Sequence, residues 1–438
     1  MMFYSLSRAF RTGALALLAA VSSATVNAHD LEIHGSNTVG ATLAPRLVAG
    51  YLEQLGQGTV QAQGTGVENE QVLSVSGTDL RVLVAAHGSS TGFRALADGK
   101  AGIWASSRPA RPAEAEQVSA RADLTALENE HVIAIDGLAV LVHSSNPINT
   151  MSIETLARVF AGDVRNWSEL GGPDRAIQLY ARDEQSGTWD TFKSLVLGNQ
   201  HTLAASALRY ESNDQLSDDV SRDPGGIGFS GLASVRNSKL LAISEGNAPA
   251  LKPSQLTVAS EDYPLSRRLF MYTMGTHAPQ LARDLVEFAL GSDGQALVAD
   301  SGFVSQNPRA VRPELDDSVP ASFKRLTADY QRLTVNFRFS QGRTKLDNKA
   351  RRDLLRVQQY MNDHGLSADD LMLIGFADAQ SNELRAQMIS ELRALSVRKA
   401  LHGIGLPQVA YTGYGQYMPV GGKGNQRNGR VEVWIKSR

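Results

Sequence analysis

Short apolar runs alternate with amphipathic segments along the first two thirds of the chain. The segments "LEIHG" (31–35), "LRVLVAAHG" (80–88) and "VIAIDGLAVLVH" (132–143) are rich in apolar and β-branched residues, which is typical of strands. By contrast, "TLAPRLVAGYLEQLG" (42–56) and "IETLARVFAG" (153–162) place apolar residues at helical spacing and close on glycine. Strands that alternate with helices predict α/β layers with a sheet covered on both faces.

A second, smaller unit follows a change of pattern. Residues 309–333 mix proline, serine and charge, which favours a linker that is partly helical. The predicted elements after it are strand, helix, strand, helix and strand, at 333–339, 345–363, 371–378, 383–405 and 430–435. In the first of these strands Val335, Phe337 and Phe339 share one face. In the last helix the apolar stripe that we expect to face the core is Leu384, Met388, Leu392 and Leu395.

The N-terminus and the composition limit the compartment and the partners. Arg8 and Arg11 precede a short apolar stretch that ends at Val26 and Ala28, so residues 1–28 are predicted to be a secretory signal peptide. The chain has no cysteine, so it carries neither a disulfide nor a lipid-modified cysteine. A net charge of −2 gives no basic excess for nucleic acid. The length of 438 residues favours two or three domains.

Four turns between predicted strands and helices are unusually rich in hydrogen-bond donors. They are "GSNTVG" (35–40), "HGSSTGF" (87–93), "ASSRPA" (105–110) and "RDEQSGT" (182–188). In open α/β sheets, ligands bind at the carboxyl ends of strands, where helix N-termini favour anions. Glycine permits close approach of the backbone, hydroxyls add donors, and Arg182 supplies a charged fork that matches an oxyanion. These turns predict a dehydrated site for a tetrahedral anion, although each turn alone is equally well explained as an ordinary helix cap.

The same region contains a competing motif. Gly88 to Gly92 match G-x-S-x-G, the nucleophile elbow of serine hydrolases, with Ser90 as the nucleophile and His277 as a later base. Because so short a pattern often occurs by chance, a serine hydrolase is nevertheless the least favoured of the alternatives. No His, Asp or Glu cluster has the spacing of a metal site, and nothing in the sequence indicates a cofactor.

The order of several longer segments carries a resemblance. "GSSTGFRALADGKAGIWASSRPA", "IETLARVFAGDVRNWSELGG", "RDEQSGTWDTF", "DPGGIGFSGLASV" and "YPLSRRLFMYT" resemble the periplasmic phosphate-binding proteins of ABC transporters, the PstS-like family, from about residue 31 to 305. The resemblance implies a two-lobed Venus-flytrap domain over 29–308 that closes on inorganic phosphate without catalysis. The phosphate-binding residues that it implies are Thr38, Val39, Ser89, Ser90, Ser107, Arg182, Glu184, Ser186, Gly187 and Thr188.

Glu184 has a particular chemical meaning in such a site. A carboxylate beside an anion is repulsive unless the anion carries a proton that the carboxylate accepts. Monohydrogen phosphate has this proton and sulfate does not, so Glu184 would reject sulfate; Asp183 is an alternative acceptor. Arg108, in "SSRPA", either contacts the anion or braces the lobes through a surface ion pair, and we favour bracing.

The second unit resembles the OmpA-like peptidoglycan-binding domain over 334–438, an α+β fold. The resemblance rests on "GFAD" (375–378), "ISELRALSVRKAL" (389–401) and "NGRVEVWI" (428–435). It implies that Asp378 binds the ammonium of diaminopimelate in the wall peptide and Arg393 its carboxylates, which suits a zwitterion. The sequence departs from the family pattern at Ala377, Ala386 and Gly429, which puts the strength of wall binding in question.

Together these patterns predict a protein of the Gram-negative periplasm that is associated with the cell wall or the outer membrane. Its expected partners are inorganic phosphate and peptidoglycan, with an ABC permease as a further candidate. A linker of roughly 25 residues gives a short reach, which favours storage or sensing of phosphate over delivery to a permease. The main alternative is a flytrap that has lost its ligand and serves as a wall-attached structural or adhesion protein.

Overall fold

The computed structural model describes residues 29–437 except 57, 185, 316, 318, 340–344 and 381. The predicted signal peptide, 1–28, lies outside the described residues. Among the helices that are described, none combines the length and the apolar character needed to cross a bilayer.

Thirteen strands and nine helices form the described first unit, residues 29–308. The strands are β1 (Leu31–Gly35), β2 (Val60–Gly64), β3 (Glu70–Val75), β4 (Arg81–Ala85), β5 (Ile103–Ser106), β6 (Glu130–Val142), β7 (Thr150–Ser152), β8 (Gln178–Arg182), β9 (Leu208–Tyr210), β10 (Gly226–Gly231), β11 (Lys239–Leu240), β12 (Ala242–Ser244) and β13 (Ser266–Tyr272). The helices are α1 (Ala44–Gln54), α2 (Ser89–Ala97), α3 (Pro112–Val118), α4 (Ile153–Ala161), α5 (Gly187–Phe192), α6 (Asn213–Arg222), α7 (Gln255–Ala259), α8 (Gln280–Leu290) and α9 (Ser292–Asp300).

One continuous sheet divides into two lobes. Lobe 1 contains the strand order β2-β3-β4-β1-β5-β13, and lobe 2 contains β10-β8-β9 with β11. Strand β6 joins them, because its first half pairs with β13 and its second half pairs with β10. The chain passes between lobes twice, at Asp136–Gly137 in β6 and just before Ser266 in β13. This arrangement confirms the predicted α/β fold with two lobes.

Each lobe has the apolar interior that its sequence pattern predicts. Lobe 1 packs α1 and α8 against the sheet around Leu47, Ile103 and Leu285. A larger apolar cluster follows β6 into lobe 2, where the Phe192 and Phe229 rings stack with centroids 3.9 Å apart. The apolar core takes up the strands and helices, and the polar turns are left at the strand ends.

The second unit is an antiparallel sheet with one parallel edge strand and two long helices on one face. Its strands are β14 (Ala310–Val311), β15 (Tyr330–Arg338), β16 (Leu371–Gly375), β17 (Ala410–Gly413) and β18 (Arg430–Lys436), and its helices are α10 (Ala321–Leu326), α11 (Asn348–Asp363) and α12 (Glu383–Gly403). The strand order is β14-β15-β18-β16-β17. As predicted, Val335 and Phe337 lie in the core beneath the helices.

The structure corrects two expectations for this unit. Residues 309–333 are not a free linker, because β14 pairs with β15, Phe323 in α10 is fully buried, and β15 already begins at Tyr330. The predicted apolar stripe of α12 is also wrong, since Leu384 is 81% exposed and Met388 and Leu392 are about half exposed.

Close approach of the helix to the sheet explains the inverted face of α12. The residues of α12 that are buried against the sheet are small or of medium size: Ala386, Ser390, Ala394, Val397 and Leu401. A Cβ on Gly375 of β16 would lie only 2.1 Å from the Ser390 carbonyl oxygen. The backbones therefore approach too closely for leucine or methionine side chains to fit between them.

A buried carboxylate joins the second unit to lobe 2. The Asp262 side chain lies between α7 and β13 and is almost fully buried. It accepts hydrogen bonds from Arg332 at 2.7 Å and Arg338 at 2.9 Å, and the Arg430 Nε lies 3.8 Å away. Asn336 donates a further bond of 2.8 Å. Burial alone would raise the pKa of Asp262, but attraction to the arginines outweighs burial and holds the pKa below its ordinary value.

The second unit also contacts lobe 1. Arg352 of α11 donates to the Leu127 carbonyl oxygen and to His131 Nδ1, both at 2.9 Å. Burial lowers the pKa of His131 to about 3, so its ring is neutral and Nδ1 can accept this bond. Arg356 donates to the Gln306 side chain at 3.1 Å. The second unit thus touches both lobes on the side of the crossing strands.

Replacing the buried carboxylate tests how much the junction contributes. We expect Asp262→Ala to lower the free energy of unfolding by about 3–5 kcal/mol, because it leaves buried arginines without their counter-charge. Urea unfolding of the mature chain measures this. Asp79→Ala, at an exposed aspartate, is the matched control and should change stability by less than about 0.5 kcal/mol. Equal curves for the two variants would contradict the proposed contribution of Asp262.

Candidate functional site

The four donor-rich turns lie where the sequence predicts, directly after strands. The turns at 36–38, 86–88 and 107–108 follow β1, β4 and β5. These three strands are parallel neighbours in lobe 1, so their carboxyl ends meet at one edge of the sheet. The fourth turn follows β8 in lobe 2. The sheet therefore brings the polar turns of both lobes toward the cleft between them.

A cavity of about 470 Å³ occupies this cleft. Most of the residues that line it are polar, and both lobes contribute. The predicted site residues among them are Thr38, Arg182, Ser186, Gly187 and Thr188, and the acidic residues are Glu68, Asp136, Asp183 and Glu211. The cavity thus collects one cationic side chain, several hydroxyls and a number of carboxylates.

Backbone carbonyls hold the Arg182 guanidinium in place. Its Nε donates to the Tyr210 carbonyl oxygen at 3.0 Å, and a terminal nitrogen donates to the carbonyl oxygen of Glu211. The other terminal nitrogen lies 3.5 Å from the Thr188 hydroxyl. Burial lowers the pKa of Arg182 and the Asp183 charge opposes the change, yet an arginine stays charged under any ordinary condition. A guanidinium with five N–H donors can make these bonds and still donate to an anion.

The start of α5 presents hydroxyls and backbone next to this cation. Ser186 is the N-cap of α5 and accepts a bond from the Trp189 N–H at 3.4 Å. Gly187 packs directly on Thr38 of lobe 1: a Cβ on Gly187 would lie 1.8 Å from the Thr38 Oγ1 and 2.4 Å from its Cα. Only glycine permits this approach, so the two lobes are in contact at the cavity.

A second arginine ties the lobes together. Arg267 of β13 donates to the Thr38 hydroxyl at 2.8 Å and to the Gly187 carbonyl oxygen at 2.7 Å. Its Nε also pairs with Asp136 of β6 at 3.2 Å. Both charged side chains are about nine-tenths buried and lie on the strands that cross between lobes. By donating to both residues, Arg267 therefore stabilises the contact between Thr38 and Gly187.

Not all of the predicted lobe 1 residues line the cavity. Ser89 and Ser107 form a separate pair, with their hydroxyls 3.4 Å apart and the Ser107 N–H donating to the Ser89 Oγ. Ser90 is exposed, and its hydroxyl contacts Arg108. The Val39 side chain is fully buried in the apolar core of lobe 1. Only the backbone of Val39, at the start of a π-helical turn, is available to a ligand.

The structure corrects the expectation for Glu184. Its side chain is 82% exposed and lies 3.4 Å from Arg209, outside the residues that line the cavity. Asp183, the alternative acceptor, does line the cavity and pairs with Arg182 at 3.5 Å. Residues 183 and 184 lie in the turn after β8, and the path of this turn places Asp183 at the cavity and Glu184 in solvent. Gln185, in the same turn, lies outside the described residues.

The arrangement around Ser90 does not match a serine hydrolase. The described neighbour of the Ser90 hydroxyl is Arg108 at 3.3 Å, and a guanidinium cannot take up the proton of a nucleophile. Within the described residues no hydrogen bond links Ser90 to His277. Arg108 forms a two-pronged ion pair with Glu114 at 2.7 and 2.8 Å, as the preference for an ion pair over the anion suggested, but both residues belong to lobe 1, so this pair does not brace one lobe against the other. The described residues contain no cluster of three or more potential metal ligands.

A second cavity, of about 230 Å³, lies at Asp378 of the second unit. The Asp378 Oδ1 accepts bonds from the Asn428 side chain at 3.0 Å and the Gly424 N–H at 3.3 Å. Arg393 is not among the residues that line this cavity; it donates to the Phe376 carbonyl oxygen at 2.9 Å. Of the two predicted wall-binding residues only Asp378 lines the cavity, and Lys423 is the lining cation.

The departures from the family pattern have identifiable positions. A Cβ on Gly429 would lie 2.7 Å from the Arg393 guanidinium, so glycine at 429 leaves the space that Arg393 fills. Ala377 and Ala386 are buried. Burial lowers the pKa of Arg393 while Asp378 opposes the change. Arg393 thus lies close enough to influence Asp378 electrostatically, although it does not line the cavity.

Sequence reasoning missed Asp136 and Arg267. A signal existed for the first: Asp136 is the single acidic residue within the apolar segment "VIAIDGLAVLVH", and a buried carboxylate requires a cationic or hydrogen-bonding partner. The partner, Arg267, lies in "YPLSRRLFMYT" before a similarly apolar strand. Only the antiparallel register of β6 and β13, which places the two opposite each other, identifies the pair.

Comparison with known proteins gives matches for both units. Residues 49–293 match the model of the PBP superfamily domain, and residues 338–430 match that of the OmpA family. The chain is 32% identical over 241 residues to Protein SphX of Synechococcus elongatus, covering 52% of this chain and 69% of that protein. It is 27% identical over 259 residues to the phosphate-binding protein PstS of Bacillus subtilis, covering 58% and 82%.

A solved structure is similar to the first unit. It is that of a possible phosphate binding protein from Planctomyces limnophilus, with a TM-score of 0.50 and 26% sequence identity. The superposition covers 68% of this chain and 95% of that one. The likeness supports the two-lobed architecture described above.

The contact between Gly187 and Thr38 yields a structural prediction. We expect Gly187→Ala to force the lobes apart, because the added Cβ would overlap the Thr38 side chain. Small-angle scattering should show a larger radius of gyration, and anion binding should weaken by roughly 5- to 100-fold. Gly403→Ala is the control, because a Cβ at 403 meets no atom within 4 Å. A radius unchanged in both variants would contradict the role assigned to Gly187.

Proposed function

Because the chain belongs to the PBP superfamily through residues 49–293, we propose that its first unit is a receptor that binds inorganic phosphate between its lobes. The observation that carries the proposal is Arg182, a buried cation at the end of β8. Its side chain lines the cavity between the lobes. Thr38, Gly187 and Thr188 line the same cavity and add hydroxyl and backbone groups to it. A tetrahedral oxyanion satisfies such a set of donors from several directions.

Selection of phosphate over sulfate follows from the carboxylate beside the arginine. Asp183 lines the cavity next to Arg182, and an ionised carboxylate can only accept hydrogen bonds. Monohydrogen phosphate donates a proton to such an acceptor, whereas sulfate has none near neutral pH. A site built around one such bond can reject the analogue lacking it by ~10⁴-fold or more. Asp183 therefore takes the role that the sequence suggested for Glu184.

Relatives support this assignment. The similar protein from Bacillus subtilis is named a phosphate-binding protein, and the similar structure from Planctomyces limnophilus is described as a possible one. No catalytic group is required, since closure of the lobes around the anion is the whole event.

The second unit is proposed to attach the receptor to peptidoglycan. Its match to the OmpA family and the Asp378 carboxyl group in the cavity support recognition of an ammonium group of the wall peptide. Lys423 in the same cavity, with Arg393 nearby, complements a carboxylate. Together with the predicted signal peptide, this attachment would place the protein in the periplasm of a Gram-negative cell, at the wall or the outer membrane.

Titration calorimetry tests the phosphate site. We expect the mature chain, unfolded and refolded to remove bound ligand, to bind phosphate but not sulfate near neutral pH. Arg182→Ala should weaken phosphate binding by about 10- to 100-fold, because it removes charge-assisted hydrogen bonds. Arg222→Ala, at an arginine side chain that is 73% exposed, should bind as the wild type does.

Two other outcomes would point elsewhere. Silence toward both anions in the wild-type protein would favour the ligand-free, wall-attached structural protein. Equal binding of phosphate and sulfate would keep the anion site but remove the role of Asp183 as a proton acceptor.

Co-sedimentation with purified peptidoglycan tests the second unit. We expect Asp378→Ala to abolish most of the binding, since it removes the carboxylate that faces the ammonium group. Asp363→Ala, at an exposed aspartate of the same unit, is the control and should sediment with peptidoglycan as the wild type does. Undiminished binding by Asp378→Ala would rule out the cavity at Asp378 as the wall site.

A further inference from the structure

The cavity at Asp378 is shared between the two units. Eight of its lining residues belong to the second unit, and two, Asn247 and Ala248, come from lobe 2 of the first unit. These two residues lie in the loop that follows β12. The Asp378 carboxylate therefore does not open onto a surface of the second unit alone, because a loop of the receptor forms one wall of the space in front of it.

Polar contacts fix the receptor loop at this position. Glu245 accepts bonds of 2.9 and 2.8 Å from the Asn425 amide and an ion-paired bond from Arg427. Asn425 caps the short helical turn that precedes β18. The loop of the first unit is thus joined by its carboxylate to the segment of the second unit that forms the floor of the cavity.

The two backbones also approach closely. Gly246 has a positive φ of +56°, and a Cβ at this position would lie 3.1 Å from the Gly422 Cα. Gly422 in turn faces the Glu245 carbonyl oxygen, which would lie 3.6 Å from a Cβ there. Glycine on both sides permits this packing, and any larger side chain at 246 would separate the loops.

The chemistry inside the cavity suits a zwitterion. Asp378 supplies the anion, held by Asn428 and the Gly424 N–H, and Lys423 supplies a cation. Asn247 adds a neutral amide that can both donate and accept. In the described part of the chain this exposed amide makes no hydrogen bond, and it lies on the wall of the cavity opposite the second unit.

We propose that the peptide site of the second unit is a composite site, in which Asn247 of the receptor is a ligand-binding residue. Its amide would donate to the carboxylate, or accept from the N–H, of a wall peptide whose ammonium group is held by Asp378. This inference rests on the proposed wall-binding function and deepens it. It assigns part of the specificity for peptidoglycan to the phosphate-binding unit.

Calorimetric titration of the mature chain with meso-diaminopimelic acid tests the composite site. We expect Asn247→Ala to weaken binding by about three- to tenfold, the usual effect of losing one neutral hydrogen bond. Asn199→Ala, at an exposed asparagine of lobe 2 outside both cavities, is the matched control and should leave the affinity unchanged. Phosphate titration of each variant checks that the receptor unit is intact.

Glu245→Ala adds an independent readout. This variant keeps the Asn247 side chain but removes the hydrogen bonds that hold its loop against the second unit. It should therefore weaken diaminopimelate binding as well. Unchanged affinity in both Asn247→Ala and Glu245→Ala, together with a loss in Asp378→Ala, would overturn the composite site and leave wall binding standing. If Asp378→Ala also bound normally, the wall-binding function itself would be wrong, and this inference with it.

Discussion

The burial of Asp262 determines how the two halves of this protein fit together. A carboxylate that is removed from water is stable only beside cations or several donors. Among the described residues, lobe 2 donates to it from the Ser260 hydroxyl, while the second unit provides arginines from two strands. The carboxylate of the first unit and the arginines of the second therefore neutralise each other's buried charge across the junction. The contact of Glu245 with Asn425, and hence the shared cavity, lies along the same junction.

The start of β13 takes part both in the contact between the two lobes and in the junction between the two units. Arg267 and Arg268 are consecutive, so their side chains point to opposite faces of the strand. Arg267 reaches Thr38 and Gly187 in the cleft between the lobes, whereas Arg268 pairs with Glu261 and with Asp347 of the second unit. Burial would raise the pKa of Glu261, but the attraction of Arg268 lowers it to about 2. One strand thus links the lobe contact on one side to the unit junction on the other.

Much of the fold and part of the site could be predicted from local pattern. The strands and helices on which the turns depend were recognisable, because buried strands are apolar and helices repeat at 3.6 residues. Arg182, Ser186, Gly187, Thr188 and Thr38 line one cavity, because the turn after β1 in lobe 1 meets the turn after β8 in lobe 2 across the cleft. Glu184 was misassigned because the path of the turn after β8, and not residue type, decides whether 183 or 184 faces the cleft.

The sequence by itself determined the elements, their order and the chemical character of the polar turns, since these depend on short-range periodicity and on residue type. Tertiary structure alone decided which faces became interfaces. In "LTVNFRF" the polar residues Asn336 and Arg338 would be expected to face water, yet they are buried against Asp262. In α12, leucines that look like core are exposed because the helix lies too close to the sheet. Both outcomes depend on distances between residues far apart in the chain, which no local pattern records.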